Sequence, residues 1–222
     1  MRTLSSTLTA AMKTSSTPRM TASLNLYPSA TVYDYTYTKI RRLEHIERPW
    51  SHKAEVSLDN SDKAFDSLDF KGYKLTIGWG FLTSAGVETS TCAPLKVIDQ
   101  KFEDTLGKPL LCHLMAIGIP DLLAIDHASV AYQPASTNTD TIKTIFSAIA
   151  GATLTCFNHC EAYTVDYDSE DDLIDVVTPK DSFRIYKNQT RLSKMRWLLD
   201  HTNCVMRFGN DGHIHIFEPT LS

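Results

Sequence analysis

The chain has 222 residues, of which 42% are hydrophobic and 22% charged, a balance typical of a globular protein with one large or two small domains. Its formal net charge of −4 excludes the basic excess that marks general nucleic-acid binding. Apolar runs all fall short of the roughly 18 residues that span a bilayer, so no membrane-spanning segment is predicted. The odd count of five cysteines argues against a disulfide framework and favours synthesis in a reducing compartment.

The first 30 residues predict a short helix followed by an extended linker. Leu4, Leu8 and Met12 recur at helical spacing, and the apolar stretch around them is too short for a secretory signal. Residues 15–30 are rich in Ser, Thr and Pro, which is typical of a flexible or extended connection.

Residues 31–119 predict a domain made of a small antiparallel β-barrel or sandwich. The candidate strands are residues 31–40, 54–58, 73–81, 95–102 and 109–119. In the first of them Tyr33, Tyr35 and Tyr37 share one face. Gly107 marks the expected bend of the last hairpin, and residues 83–94 are expected to form a loop.

Residues 120–222 predict an α+β domain that ends in a helix and a β-hairpin. One helix is indicated by Ile142, Ile145, Phe146 and Ile149, with Asn138 or Thr139 as its cap and Gly151 as its end. A second helix is indicated by Leu192, Met195, Leu198 and Leu199, with Asn188 or Thr190 as its cap. The hairpin strands are residues 204–208 and 213–217, joined by a Gly-Asn-Asp-Gly turn. The whole chain is therefore predicted to be α+β.

Four carboxylates in residues 58–80 raise the question of calcium binding. Asp59, Asp62, Asp66 and Asp69 are spaced by three or four residues, whereas a calcium loop needs alternating oxygen ligands, a central Gly and a closing Glu. Asp and Asn also form turns through bonds to nearby backbone groups. The pattern favours a turn anchored on the core by its apolar residues, namely Phe65, Leu68 and Phe70.

A second acidic segment spans residues 166–172. Asp166, Asp168 and Glu170 imitate the start of a calcium loop, but the position for the central Gly is Asp171 and the position for the closing Glu is Val177. Ser169 and Asp172 could instead form a capping box. A solvated helix start is the favoured interpretation.

Soft metal ligands occur in two places. Cys156, His159 and Cys160 lie close together, and His201 and Cys204 follow later, but the spacing matches no standard zinc pattern, and a Cys156–Cys160 disulfide or ordinary packing would explain the thiols as well. His213 and His215 point to one face of a strand, but the sequence shows neither a third ligand nor a general base. We therefore assign no catalytic residue, no cofactor and no metal ligand from the sequence.

Two groups of residues resemble the tail hub proteins of tailed bacteriophages and related contractile machines. The first group follows the strand–turn–strand pattern of that family: Leu58, Asn60, Asp62, Phe65, Gly72, Leu75, Ile77 and Gly80. The second follows its terminal helix and hairpin: Asp211, Gly212, Ile214 and Ile216. The resemblance implies small β-barrels that join into a ring and link the tail tube to the baseplate or fibres, without catalytic residues. Many hubs are longer, so we expect a short hub or a fragment of one.

The predicted function is therefore that of a non-enzymatic structural component of a phage-type tail hub or baseplate. It would be made in the host cytoplasm and reside in the tail tip of the virion. Its predicted partners are its own copies in a ring of three or six, the tail tube and other baseplate proteins, with DNA only passing through the channel. The interface candidates are Tyr33, Tyr35, Tyr37 and Trp50, since aromatic residues dominate interface anchors. The alternative is that the tyrosines line the core of the monomer.

Two other functions remain open. A zinc-dependent enzyme would draw its ligands from Cys156, His159, Cys160, His201, His213 and His215. A carbohydrate-binding β-module would use Trp50, Trp79 or the tyrosines.

Overall fold

A computed structural model of the chain describes residues 4–14, 20–27, 32–104 and 109–219. It divides into two compact units, Met1–Ile119 and Pro120–Ser222. Both helices and strands are present, so the predicted α+β class is confirmed. Among the described residues, no helix is long and apolar enough to cross a membrane.

The first unit is a helix followed by an antiparallel sheet. The helix α1 spans Ser6–Lys13, and the strands are β1 (Met20–Tyr27), β2 (Tyr33–Tyr35), β3 (Ile40–Arg48), β4 (Ser51–Asp59), β5 (Lys74–Thr83), β6 (Gly86–Thr91), β7 (Leu95–Glu103) and β8 (Leu111–Gly118). In the described part of the chain the strands pair in the order β2-β1-β5-β7-β8-β4-β3, and β6 pairs with β5. Every pair is antiparallel, as predicted. The path has two ends, at β2 and β3.

The core of this unit follows the two-residue alternation of its central strands. Its strand residues are Ala54, Val56 and Leu58 of β4, Leu75 and Ile77 of β5, Leu95 and Val97 of β7, and Cys112, Leu114 and Ala116 of β8. The loop between β4 and β5 adds two fully buried rings, Phe65 and Phe70. The predicted strands 54–58, 73–81, 95–102 and 109–119 are those that carry this alternation.

Three strands of the first unit were not predicted from the sequence. β3 has the charged sequence IRRLEHIER, and β6 replaces the predicted loop of residues 83–94. β1 lies in the predicted extended linker and pairs with β2 and β5. β3 and β6 lack the apolar alternation of a half-buried strand, and pairing with β4 and β5 keeps them extended. β1 does alternate, with Met20, Ala22, Leu24 and Leu26 separated by polar residues, but this pattern was not recognised within the Ser- and Thr-rich segment.

The predicted strand 31–40 is shorter than expected. It ends at Tyr35, because the backbone N–H groups of Lys39 and Ile40 both donate to the Thr36 carbonyl, at 3.0 and 3.2 Å, and close a turn. Tyr37 therefore lies in this turn and not on the strand face that holds Tyr33 and Tyr35.

The predicted N-terminal helix is confirmed as α1. Ser5 caps it through a 3.0 Å bond from the Leu8 N–H to the Ser5 hydroxyl, and Leu8 is buried. The Glu88 carboxylate on β6 accepts hydrogen bonds from Ser5 and, at 2.7 Å, from Thr7.

The second unit combines helices with a small mixed sheet. Its elements are α2 (Ile119–Ile125, beginning at the boundary), α3 (Ile142–Ala150), β9 (Val165–Ser169), α4 (Leu173–Val176), a 3₁₀ turn (Lys180–Ser182), α5 (Arg191–Leu199), β10 (Val205–Phe208) and β11 (Ile214–Phe217). The sheet order is β10-β11-β9, with β10 antiparallel and β9 parallel to β11. The two predicted helices and the terminal hairpin are confirmed.

Two local predictions in this unit are wrong. The cap of α3 is Thr141, whose hydroxyl accepts from the Thr144 N–H, and not Asn138 or Thr139. Residues 165–169 form β9 and not the start of a helix, and α4 follows without a capping bond from Asp172. The parallel pairing with β11, which lies far along the chain, decides this conformation, so local sequence could not reveal it.

Candidate functional site

The acidic loop between β4 and β5 is built from carboxylates that bond to backbone groups. Asp59 accepts from the Ser61 N–H at 2.8 Å, and Asp69 accepts from the Lys71 N–H at 3.0 Å. Asn60, which is buried, accepts from the Phe65 N–H at 3.0 Å and donates to Asp66 at 2.8 Å. These bonds confirm the prediction that the loop residues shape a turn.

Two of the four interface candidates pack inside the first unit. The Tyr33 ring meets Phe70 edge to face at 5.5 Å, and the Tyr35 ring meets Phe65 in the same way at 5.3 Å. Burial raises the pKa of Tyr35 to about 12. Tyr33 and Tyr35 therefore pack against the core of the unit, which was the alternative considered for the tyrosines.

The other two candidates are exposed. Tyr37 is 58% exposed in the turn before β3, and Trp50 is 37% exposed in the turn after it. The two aromatic residues therefore bracket an edge strand, since β3 pairs only with β4 in the described part of the chain. Ile46 of β3 is exposed as well.

The thiols and imidazoles considered as zinc ligands do not converge. Cys156 is buried, and this burial raises the pKa of its thiol to about 11. His159 is exposed, the His201 ring packs edge to face on Trp197 at 4.4 Å, and Cys204 accepts a bond from the Asp171 N–H. Within the described ranges, these side chains do not form a group whose ligand atoms all lie within 4.8 Å of one another.

His213 and His215 instead meet the acidic segment 166–168. The parallel pairing of β9 with β11 sets His215 opposite Asp166. His213 Nδ1 lies 2.8 Å from the Asp166 carboxylate, and His215 lies 3.1 Å from Asp168 through Nδ1 and 3.0 Å from Asp211 through Nε2. The two sequence segments that were weighed separately thus form one group, which we call the imidazole–carboxylate cluster: Asp166, Asp168, Asp211, His213 and His215.

The charges of this cluster influence one another. Burial of the His215 ring opposes its charged form, but hydrogen bonds to Asp168 and Asp211 outweigh burial, so the pKa of His215 is raised. The pKa of Asp168 is lowered, first by its hydrogen bond to His215 and then by Arg207, which lies 2.9 Å away. The two histidines were evident in the sequence as possible ligands. Their carboxylate partners were not, because Asp166 and Asp168 come from β9 and Asp211 comes from the hairpin turn.

A second group of histidines lies at the end of the β3–β4 hairpin. Ligand atoms of His45, Glu47 and His52 all lie within 4.8 Å of one another. Trp79 Nε1–H donates to His45 Nδ1 at 3.3 Å, so the proton of a neutral His45 lies on Nε2, which is 2.6 Å from His52 Nε2. In that tautomer, Nε2 donates to His52. The bond from Trp79 to His45 holds the Trp79 ring against the core, where it is only partly accessible to a glycan.

A Ser–His–Glu row crosses the sheet at β4, β8 and β7. The Ser57 hydroxyl lies 2.9 Å from His113 Nδ1, and His113 Nε2 lies 3.0 Å from Glu103. Ser57 and His113 are direct cross-strand partners, a pairing that the sequence does not reveal. Because β4 is paired on both sides, the backbone N–H groups around Ser57 serve the sheet and are not free to stabilise an oxyanion.

No protein-family model matches the sequence, and no curated protein is significantly similar to it. Solved structures do match. The chain resembles the tail protein from Neisseria meningitidis with a TM-score of 0.56 and 10% identity, over 89% of this chain and 50% of that one. It resembles the 43 kDa tail protein of prophage MuSo2 from Shewanella oneidensis with a TM-score of 0.53 and 16% identity, over 90% of this chain and 56% of that one.

The chain has the fold of these tail proteins. The Francisella PdpA–VgrG complex is also similar, with a TM-score of 0.56 and 11% identity over 92% of this chain and 32% of that one. The resemblance expected from the sequence is therefore confirmed at the level of the fold. The chain spans about half the length of the two tail proteins and about a third of the VgrG-complex chain.

Proposed function

We propose that the chain is a structural, non-enzymatic component of a phage-type tail hub or baseplate. In this role it forms a ring that joins the tail tube to the tail-tip or fibre assembly, and it resides in the virion after synthesis in the host cytoplasm. The observation that carries the proposal is the shared fold with tail proteins across 89% or more of the chain.

Ring formation needs a surface on which one subunit meets the next. The described part of the first unit offers the outer edge of β3, whose backbone groups can pair with another chain. Charged side chains along β3, among them Arg42 and Glu44, limit indiscriminate pairing. Such an edge would pair with a strand whose charges are complementary to those of β3, and this favours one defined contact.

Aromatic anchors support the same surface. Tyr37 and Trp50 lie in the turns at the two ends of β3, and a strand of this length extends about 30 Å. Exposed Tyr and Trp side chains are the residues that most often dominate the energy of an interface. We therefore propose that the β3 edge, with Tyr37 and Trp50, contacts a second copy of the chain.

The mass of the purified protein in solution, measured over a range of concentrations, tests ring formation. We expect a trimer or a hexamer, and we expect Trp50→Ala and Tyr37→Ser to dissociate it at concentrations where the wild type is assembled. Val176→Ser, at an exposed apolar residue of the second unit, is the matched control and should leave the mass unchanged. A wild-type monomer at every concentration would contradict a ring built by this chain.

The proposed partners beyond its own copies are the tail tube and the other tail-tip proteins. DNA passes through the ring without specific binding. The rival functions predict different results with the same protein: an isolated monomer that binds glycans through Trp50 would favour a carbohydrate-binding module, and a metal-dependent hydrolytic activity would favour an enzyme.

A further inference from the structure

We propose that the imidazole–carboxylate cluster binds a divalent transition-metal ion, with Asp166, Asp211, His213 and His215 as ligands and Asp168 as the residue that orients His215. Imidazole nitrogens mixed with carboxylate oxygens suit Zn²⁺ and related ions better than Mg²⁺ or Ca²⁺, which prefer oxygen alone.

The positions of the ligand atoms are close to those a metal requires. Atoms of Asp166, Asp211 and His213 all lie within 4.8 Å of one another. His215 Nε2 lies 3.0 Å from Asp211 and 4.0 Å from Asp166. Ligand bonds of about 2.0–2.2 Å in a tetrahedron separate neighbouring ligand atoms by roughly 3.3 Å, so Asp166, Asp211 and His213 need only small side-chain rotations to bind one ion, and His215 joins them through its Nε2 beside Asp211.

The hydrogen-bond chemistry of His215 calls for a cation. Each ring nitrogen faces a carboxylate, Nδ1 facing Asp168 and Nε2 facing Asp211. A carboxylate only accepts hydrogen bonds, and a neutral imidazole has one donor. With both carboxylates ionised, His215 either carries a second proton or presents its Nε2 lone pair to a metal ion that Asp211 also binds.

Asp168 supplies the outer contact typical of metal-binding histidines. A ligating imidazole usually donates its other N–H to a carboxylate, which fixes the tautomer and the ring orientation. Asp168 takes this place at His215 Nδ1 and is itself held by Arg207 at 2.9 Å. The lone pair of Nε2 is then directed at the side where Asp211 and Asp166 lie.

Two further features fit a bound ion. With neutral imidazoles, the three carboxylates outweigh the single guanidinium of Arg207, and a divalent cation would neutralise the excess negative charge. Gly209 also keeps the space beside the ligands open, because a Cβ there would lie 2.4 Å from Asp211 Oδ1 and 2.5 Å from His215 Nε2. The histidine side chains are solvent-accessible, at 39% for His213 and 13% for His215, so an ion can enter.

The test is a calorimetric titration of the full chain, stripped of metal by a chelator, with ZnCl₂ at neutral pH. We expect one equivalent of Zn²⁺ to bind and to raise the unfolding temperature. Asp166→Asn and His213→Gln, which preserve side-chain size, should each weaken binding by about 100-fold, and Asp168→Asn by about 10- to 100-fold. Circular dichroism establishes that each variant is folded.

A matched control separates this site from the other possible ligands. His201→Ala and the double variant Cys156→Ser, Cys160→Ser should bind Zn²⁺ as the wild type does. Absence of Zn²⁺ binding by the wild type would overturn the proposal and leave protons as the cations that His215 holds. Binding that survives Asp166→Asn and His213→Gln would overturn it as well. The oligomeric mass is a separate measurement, so the metal site and the ring can fail independently.

Discussion

Arg191, the first residue of α5, is a fully buried guanidinium. Its Nη1 donates to Asp126 and to the Glu161 carbonyl, each at 2.7 Å. Its Nη2 donates to the carbonyls of Ile149 and Ala150 at 2.9 and 2.6 Å. The last carbonyls of a helix lack partners inside the helix and carry partial negative charge, so Arg191 stabilises the end of α3. Nothing local in the sequence predicts this, because arginine is rarely buried.

Replacing Arg191 should therefore destabilise the second unit strongly. We expect Arg191→Met to lower the free energy of unfolding by about 3–5 kcal/mol, because the Asp126 carboxylate loses the guanidinium and the carbonyls of Ile149 and Ala150 keep only their backbone N–H donors. Urea denaturation followed by circular dichroism measures the change. Arg184→Met, at an exposed arginine of the same unit, should change stability by less than about 0.5 kcal/mol, and equal effects of the two substitutions would contradict this account.

Asp59 gives a prediction for acid stability. Hydrogen bonds from Ser61, followed by one from Arg41, lower the pKa of this carboxyl well below its usual range. A carboxyl whose pKa is lower in the folded than in the unfolded state stabilises the fold above the unfolded pKa of about 3.9, and this contribution is lost as the pH falls further. Between about pH 4 and about pH 2, Asp59→Asn should therefore reduce the fall in melting temperature.

The control for this measurement is Ser67→Ala, an exposed residue of the same loop. It removes no titrating group and should follow the wild-type curve. A profile of Asp59→Asn that is as steep as the wild type would show that the hydrogen bonds of Asp59 contribute nothing in acid.

Among the elements, the loop between β4 and β5 depends on one buried amide. Asn60 satisfies the buried N–H of Phe65 with its side-chain oxygen. We expect Asn60→Ala to cost about 1–3 kcal/mol, because that N–H would then be buried without a partner. Denaturation with urea measures the cost, and Ser67→Ala should stay within about 0.5 kcal/mol of the wild type. If Asn60→Ala were as stable as this control, the bond from the Phe65 N–H to Asn60 would not contribute to stability.

Gly80 makes the close contact of β5 with β6 possible. A Cβ at this position would lie 1.8 Å from the Glu88 carbonyl oxygen, a distance that backbone atoms cannot relieve without moving apart. Gly80→Ala should therefore separate the two strands and destabilise the first unit by about 1–3 kcal/mol or more. Hydrogen exchange of the β6 amides gives a local readout, and protection equal to that of the wild type would contradict the prediction.

An element could be predicted from the sequence when its own residues carry the apolar periodicity of a strand or helix. β4, β5, β7 and β8 carry their own alternation, and α3 and α5 carry their own helical stripe. β3 and β9 become strands through partners elsewhere in the chain, so their own residues do not indicate it. The same limit applied to the imidazole–carboxylate cluster, because Asp166 reaches His213 only through a parallel pairing across 47 positions.

The whole chain carries a net charge of −4, which bears on the proposal that DNA passes the ring without binding to it. Non-specific DNA binding comes from Lys and Arg that neutralise phosphates. We expect no retardation of duplex DNA in a mobility-shift assay at about 0.1 M salt, where charges farther apart than about 10 Å are screened. A variant with the exposed Asp34, Asp104 and Asp200 all changed to Lys reverses the sign of the net charge and should retard the DNA. Retardation by the wild type would argue against a channel that DNA passes freely.

The cysteines have a consequence for the covalent stability of the chain under the proposed function. All five are free thiols, and four of them, Cys92, Cys112, Cys156 and Cys204, are buried. Burial raises the pKa of Cys112 to about 11, so that side chain stays in the unreactive protonated form. Peroxide and disulfide reagents attack accessible thiolates. Under the proposed function, the four buried thiols would therefore keep their covalent state after release into aerated surroundings, and Cys160, which is only half-buried, is the thiol accessible to oxidation.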